Sequence, residues 1–183
     1  MTERAAEGTR ARILDIAGDL FRTRGYAGTS IADIAATLGT SKAALYYHFR
    51  SKEEILDALL ADSLAVHARI ADTAATGTAT PEELLGAFID MVAGAGRLLT
   101  IFGDDPSVLA VLEQREGDYR LRDSDDLIVT ALAGTDAAAA VRARAAIAVA
   151  KDGTKGVMAA AGGRLPDRAR PELLAAALRA LRP

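Results

Sequence analysis

The chain has no cysteine, so it forms neither a disulfide nor a thiolate metal site. It has two histidines, His48 and His67, fewer ligands than a histidine-built metal centre needs. They fall on different predicted helices, so no metal and no cofactor is expected. No uninterrupted apolar run reaches membrane-spanning length. The opening stretch MTERAAEGTRAR is charged and lacks the apolar core of a signal peptide. The expected address is therefore the cytoplasm, with no membrane contact. Catalytic parts are missing too. No serine or cysteine nucleophile pairs with a histidine and a third orienting group, and no glycine-rich loop is built to cradle phosphate. The acidic pairs Asp104-Asp105 and Asp125-Asp126 are neighbours in sequence, and neighbours on a helix diverge. They read as caps and surface, and an enzyme is not expected. No segment alternates polar and apolar residues at period two, so no sheet is predicted. Tryptophan is absent and aromatics supply only 4% of residues.

What the chain does have is alanine, 41 residues of it, a composition that favours helix and close helix-helix approach. Hydrophobic residues make up 50%, too many for a disordered chain. The net charge of −3 argues against nucleic acid until its distribution is read. Residues 1–52 carry eight Lys/Arg against five Asp/Glu, a net +3, so the remainder carries −6. An excess of +3 alone is compatible with an ordinary solvated surface. Beside a DNA-reading motif, it describes a basic head on an acidic body.

That motif lies between Thr29 and Lys52. Either Thr29 or Ser30 caps a short helix, and Ser30 with Asp33 has capping-box spacing. Ile31, Ile34, Ala35 and Leu38 share one apolar stripe. Gly39 stands where a helix end favours a left-handed residue. Ser41 caps a second helix from Lys42 to about Phe49, in which Leu45 and Phe49, four apart, turn inward together. Lys42, Ala43, Ala44, Tyr46, Tyr47 and His48 populate its other faces. Two helices joined by a tight turn, with a polar and aromatic second helix, suit the DNA major groove. Lys42 suits a guanine edge or a phosphate; Ala43 and Ala44 offer only methyl contacts, so shape readout gains weight. One of the two tyrosines packing inward is the structural alternative.

The blocks RILDIAGDLFRTRGYAGTS, IADIAATLGTS and KAALYYHFRSKEEIL together resemble the DNA-binding domain of TetR-type (TetR/AcrR) repressors. The resemblance covers less than a third of the chain. It implies an all-α protein with a three-helix helix-turn-helix domain over residues 1–52. A helical ligand-binding and dimerisation domain over 53–183 follows from it. It implies double-stranded DNA as partner, touched by Thr29, Ser30, Ser41, Lys42, Ala43, Ala44, Tyr46, Tyr47, His48 and Lys52. It also implies a small-molecule effector bound among the C-terminal helices. Phe88, Met91, Leu98, Leu99, Phe102, Tyr119 and Met158 are the candidate walls, although ordinary core suits each of them. Asp90, Arg97, Lys151, Asp152 and Lys155 are the polar groups nearest those walls in sequence.

The helical pattern continues through the body. The first helix spans about Thr9 to Arg24, with Ile13, Leu14, Ala17, Leu20 and Phe21 inward and Gly25 ending it. Ser51 and Glu54 open a fourth helix, with His67 on a solvated or interface face. Thr80-Pro81-Glu82-Glu83 starts a fifth. A short helix near Arg97–Phe102, a break or weak point at Gly117, a stop at Gly134, a long alanine-rich helix from Asp136 to about Ala161 and a last helix at Pro171–Leu181 complete about nine or ten helices. The charged run Glu113–Asp126 reads as a solvated face, or more sharply as a rim for ligand entry. The last two helices, rich in small residues, are the expected homodimer surface. A ligand-responsive repressor is the resulting expectation. The alternative is a small helical enzyme, or an interaction module, whose basic head is incidental.

Overall fold

The computed structural model describes residues 3–95, 105–114 and 121–183, and the fold is all-α. Ten α-helices are described: α1 (Glu3–Arg24), α2 (Ile31–Leu38), α3 (Lys42–His48), α4 (Lys52–Ala75) and α5 (Pro81–Gly94). Then come α6 (Pro106–Gln114), α7 (Leu121–Ala133), α8 (Ala137–Ala148), α9 (Thr154–Ala160) and α10 (Ala169–Ala180). The expected short helix at 97–102 and the expected break at Gly117 lie outside the described residues.

Contacts divide the chain into two compact units. The head unit holds the described residues up to Ala61 together with α6; the body unit holds the rest. Helix α4 belongs to both. The division by contacts falls inside that helix, after Ala61.

The head is built on apolar periodicity. Ile13, Ala17 and Phe21 of α1, Ile34 of α2, Leu45 of α3, Phe49, and Ile55 and Leu56 of α4 are fully buried together. Burial of each large side chain stabilises the unit by about 1.5–3 kcal/mol. That burial matters most for α3. A helix of 7 residues is far too short to persist alone. It forms because Leu45 and Phe49 anchor one face, Ser41 caps its start, and Arg10 of α1 donates to the His48 carbonyl at its end, 3.5 Å away. The Arg10 guanidinium also lies 4.3 Å from the centre of the Phe49 ring. A cation at a helix C-terminus opposes the negative end of the dipole.

In the body, Leu84, Leu85, Phe88 and Ile89 of α5 pack with Ala146, Ala150 and Met158 and with Leu173 and Leu174 of α10. Helices α8 and α9 form one rod, as the alanine run predicts. A π-helical turn, Val149–Gly153, interrupts it, which periodicity did not reveal. Gly153 in that turn is close to α10: a Cβ there would sit 3.1 Å from Leu173 Cδ2. This small residue serves packing within the chain. The last helix begins at Ala169, two residues before Pro171, because a first turn leaves its N–H groups without intrahelical partners and tolerates proline.

One sequence expectation is narrowed. Of the two faces expected for His67, solvated or interface, the solvated one is ruled out: the residue is 6% exposed. Its Nε2 lies 3.0 Å from Asp125 Oδ1 and its ring 6.0 Å from Phe88. A carboxylate partner satisfies the imidazole, so burial carries no unpaired polar group. Asp90, one of the polar groups nearest the candidate walls in sequence, receives two 2.7 Å bonds from Arg170 in an exposed fork that ties α5 to α10. Asp152 and Lys155 pair with each other at 2.6 Å.

Candidate nucleic-acid interface

Local sequence sets the helix-turn-helix. Ser30 is the N-cap of α2, with both halves of the capping box formed to Asp33. The Ser30 hydroxyl and N–H donate to the Asp33 carboxylate, and with Arg24 nearby they hold its carboxyl below the usual range. Gly39 ends α2 at φ +74°, a conformation glycine adopts without steric cost. The Ser41 hydroxyl accepts from the Ala44 N–H at 3.1 Å and starts α3. With Leu45 locked inward, the opposite face of α3 is free of the core. Lys42, Ala43 and Ala44 are exposed, Tyr46 is 50% exposed and Tyr47 is 77% exposed. His48 is half-buried, its ring edge-on to Tyr47 at 5.3 Å. Neither tyrosine packs inward.

An open hollow of about 410 Å³ lies beside this face. Lys42 and Tyr46 of α3 line it, with Thr29, Ser30, Ile31 and Ala32 around the start of α2, and with Ala27 and Lys52. The hollow thus joins two lysines to a helix N-terminus, where the dipole and unpaired N–H groups favour an anion. A DNA phosphate is such an anion.

Two predicted contact residues do more than face solvent. Thr29 is 1% exposed, and its hydroxyl donates to the Gly25 carbonyl at 2.9 Å. Its side chain is occupied inside the turn rather than presented at the surface. Lys52 is half-buried, and its ammonium donates to the carbonyls of Tyr26 (2.8 Å) and Thr29 (3.0 Å) while lying 4.1 Å from the Tyr26 ring centre. An ammonium has three donors, so these bonds leave capacity for a phosphate oxygen.

Sequence analysis did not single out the centre of this network, Tyr26. The residue is 4% exposed and meets Phe21 edge-on at 5.1 Å. Its hydroxyl donates to Glu53 Oε1 at 3.2 Å. Burial first, then the Glu53 charge, pushes the phenol pKa well up, so the hydroxyl stays a donor through the physiological range. The signal was the Gly-Tyr pair after α1, which marks a turn without naming the turn's partners. Gly28 completes the turn: a Cβ there would lie 2.3 Å from the Arg24 carbonyl oxygen. Backbone cannot swing aside as a flexible side chain does. Gly28→Ala is expected to destabilise the head by about 1–3 kcal/mol, an overpacking cost. Chemical denaturation followed by circular dichroism measures it; an unchanged midpoint would show that the turn relaxes freely.

Of the candidate effector residues, Phe88, Met91 and Met158 are buried together in the body core. Leu98, Leu99, Phe102 and Tyr119 lie outside the described residues. Beside Phe88 stand His67 and the Lys151 ammonium, the latter 5.6 Å from the ring centre. The hydrogen bond from His67 and the charge of Lys151 hold the Asp125 carboxyl low, against a desolvation that raises it. Polar groups therefore do reach this core. Among the described residues no three His, Asp or Glu side chains converge as a metal site, and no helix is long and apolar enough to cross a membrane.

Comparison with known proteins converges on one kind of molecule. Residues 13–59 match the family model for bacterial regulatory proteins of the tetR family. Over 63 residues the chain is 46% identical to the HTH-type transcriptional regulator TtgR of Pseudomonas putida, covering 34% of this chain and 30% of that one. It is 32% identical over 111 residues to the HTH-type transcriptional repressor KstR2 of Rhodococcus jostii, covering 58% and 54%. The chain thus spans about a third to a half of the length of these relatives. The crystal structure of Mycobacterium smegmatis AmtR matches over 99% of this chain and 86% of its own, with 26% identity and a TM-score of 0.72.

Proposed function

Given that this chain belongs to the TetR/AcrR family, we propose that it is a ligand-responsive transcriptional regulator, a repressor that binds a partly palindromic operator as a homodimer. One observation carries the reading: a capped α3, anchored by Leu45 and Phe49, turns Lys42, Tyr46 and Tyr47 outward beside a hollow that holds Lys52 and the start of α2. Tyr46, Tyr47 and His48 meet phosphates and thymine methyls, and Lys42 a guanine edge or a phosphate. The Ser41 hydroxyl, whose oxygen accepts the Ala44 N–H, turns its proton to a DNA phosphate, while Ser30, bonded to Asp33, and Thr29 contribute through the cap and the turn they hold. Ala43 and Ala44 pass close to the bases without hydrogen-bonding them, so groove shape supplies part of the specificity. The dimer forms through α8–α9 and α10, where Val141 stands 69% exposed. The effector is a small, largely apolar molecule bound beside Phe88, Met91 and Met158, and the protein works in the cytoplasm. Residues 1–52 read DNA and 53–183 bind effector and partner.

The test is recovery of bound fragments from genomic DNA, followed by titration of one fragment. Two chains per site are expected, since each subunit brings one recognition helix and the half-sites repeat its two-fold axis. Tyr47→Ala is expected to weaken binding roughly 5- to 50-fold, the loss of an interface aromatic, with the melting temperature unchanged. A single chain per site in sedimentation, or undiminished affinity in the variant, would reject the dimer or the recognition face respectively.

A further inference from the structure

Helix α6 begins at Pro106, well after α4 ends at Ala75, yet it belongs to the head unit. Its Val108 is buried, 1% exposed. Asp105, the residue before α6, uses both carboxylate oxygens. Oδ1 accepts from the Ser107 N–H (2.9 Å) and hydroxyl (2.6 Å), closing the start of α6. Oδ2 accepts from the backbone N–H of Tyr26 at 3.1 Å, across 79 residues of sequence.

The Tyr26 amide is a consequential place to hold. Its own carbonyl receives Lys52 Nζ and the Thr29 N–H, and its ring lies under the Lys52 ammonium. Thr29 directly precedes Ser30, the cap of α2. From Asp105 a chain of short contacts therefore runs through Tyr26 to Lys52 and to the start of α2, the groups that line the hollow beside α3. Asp105 itself does not line that hollow.

We propose that Asp105 is a positioning residue for DNA binding: its carboxylate pins the Tyr26 turn to α6 and so fixes the placement of Lys52 and the α2 N-terminus. The proposal rests on the DNA-binding reading above. Two properties favour a pin over a passive cap. A hydrogen bond to an ionised acceptor is stronger than a neutral one. A buried N–H that loses its acceptor is left unsatisfied, which favours rearrangement of the turn. A head held less often in its binding-competent form binds in proportion to that fraction.

Three variants separate the roles. Asp105→Ser keeps an oxygen to cap α6 but is too short to reach Tyr26. Asp105→Asn keeps the length and one acceptor. Ser107→Ala removes a cap partner and leaves the carboxylate on Tyr26. The readouts are the exchange rate of the Tyr26 amide by NMR and affinity for a fragment recovered with the unsubstituted protein. Asp105→Ser is expected to speed Tyr26 exchange roughly tenfold or more and to weaken DNA binding about three- to tenfold. Asp105→Asn should fall between it and the parent, and Ser107→Ala should leave both readouts in place. A protected Tyr26 amide in Asp105→Ser overturns the pin. A freed amide with full DNA affinity overturns its role in binding. Equal losses in Ser107→Ala reduce Asp105 to a cap and also overturn it. If the unsubstituted protein binds no DNA, the functional reading fails first, and the failure shows in the parent rather than in the variants.

Discussion

Replacing Lys52 with methionine is expected to lower head stability and DNA affinity together. The methionine keeps most of the apolar stem and removes the ammonium. Two hydrogen bonds to the Tyr26 and Thr29 carbonyls are lost, and so is the contact over the Tyr26 ring. Charge-assisted hydrogen bonds contribute about 1.5–3 kcal/mol each, and a cation over an aromatic face about 0.5–2. These terms share one ammonium and are not additive, and the site is only half-buried, so a destabilisation of about 2–4 kcal/mol is the expectation. The effect on DNA has two parts. A displaced turn lowers the fraction of competent heads at any salt concentration. A missing phosphate contact lowers the slope of log affinity against log salt by about 1. Denaturant midpoints and salt titrations of one DNA fragment read the two parts separately. A normal midpoint with a reduced slope would make Lys52 a phosphate contact alone; a lowered midpoint with an unchanged slope would make it a pin alone.

Lys52 also shows where sequence stopped informing. Its residue type and place beside the helix-turn-helix suggested a phosphate contact. Its carbonyl partners come from a turn more than twenty residues earlier, and only the folded head brings them within reach. The same division holds elsewhere. The boxes Ser30–Asp33 and Thr80–Glu83 were legible because both partners lie within one turn. The inward pair Leu45 and Phe49 followed from helical spacing alone. The His67–Asp125 contact spans 58 residues and the Arg170–Asp90 fork 80, and no local pattern encodes either. The partner of His67 lies too far off in sequence to be read locally, which left a solvated or an interface face as the expectation. The π turn at Val149–Gly153 escaped for another reason. It changes the helical period by one residue inside a run of small side chains, too uniform to register the shift.

An effector bound in the body is expected to weaken DNA binding, and DNA to weaken effector binding by the same factor. The body core around Phe88, Met91 and Met158 is apolar, with the His67–Asp125 pair and Lys151 at its side. An apolar ligand that displaces or repacks Phe88 acts on His67, whose ring lies against it. His67 is on α4, and the same continuous helix supplies Ile55 and Leu56 to the head core and begins at Lys52. Helix α4 contributes residues to both units, and the expectation is that it carries the change from one to the other. The ligand drives this only if it binds the geometry that disfavours DNA more tightly. A coupling of about 1–3 kcal/mol changes either affinity roughly 5- to 150-fold. The measurement is calorimetric titration of an effector found by thermal-shift screening, with and without a saturating DNA fragment. His67→Phe, which fills the same space without the bond to Asp125, is expected to shrink the coupling while leaving DNA affinity in the absence of effector within about threefold. Equal effector affinity with and without DNA would remove α4 as the carrier of the signal and leave a regulator whose DNA binding is set by its concentration alone.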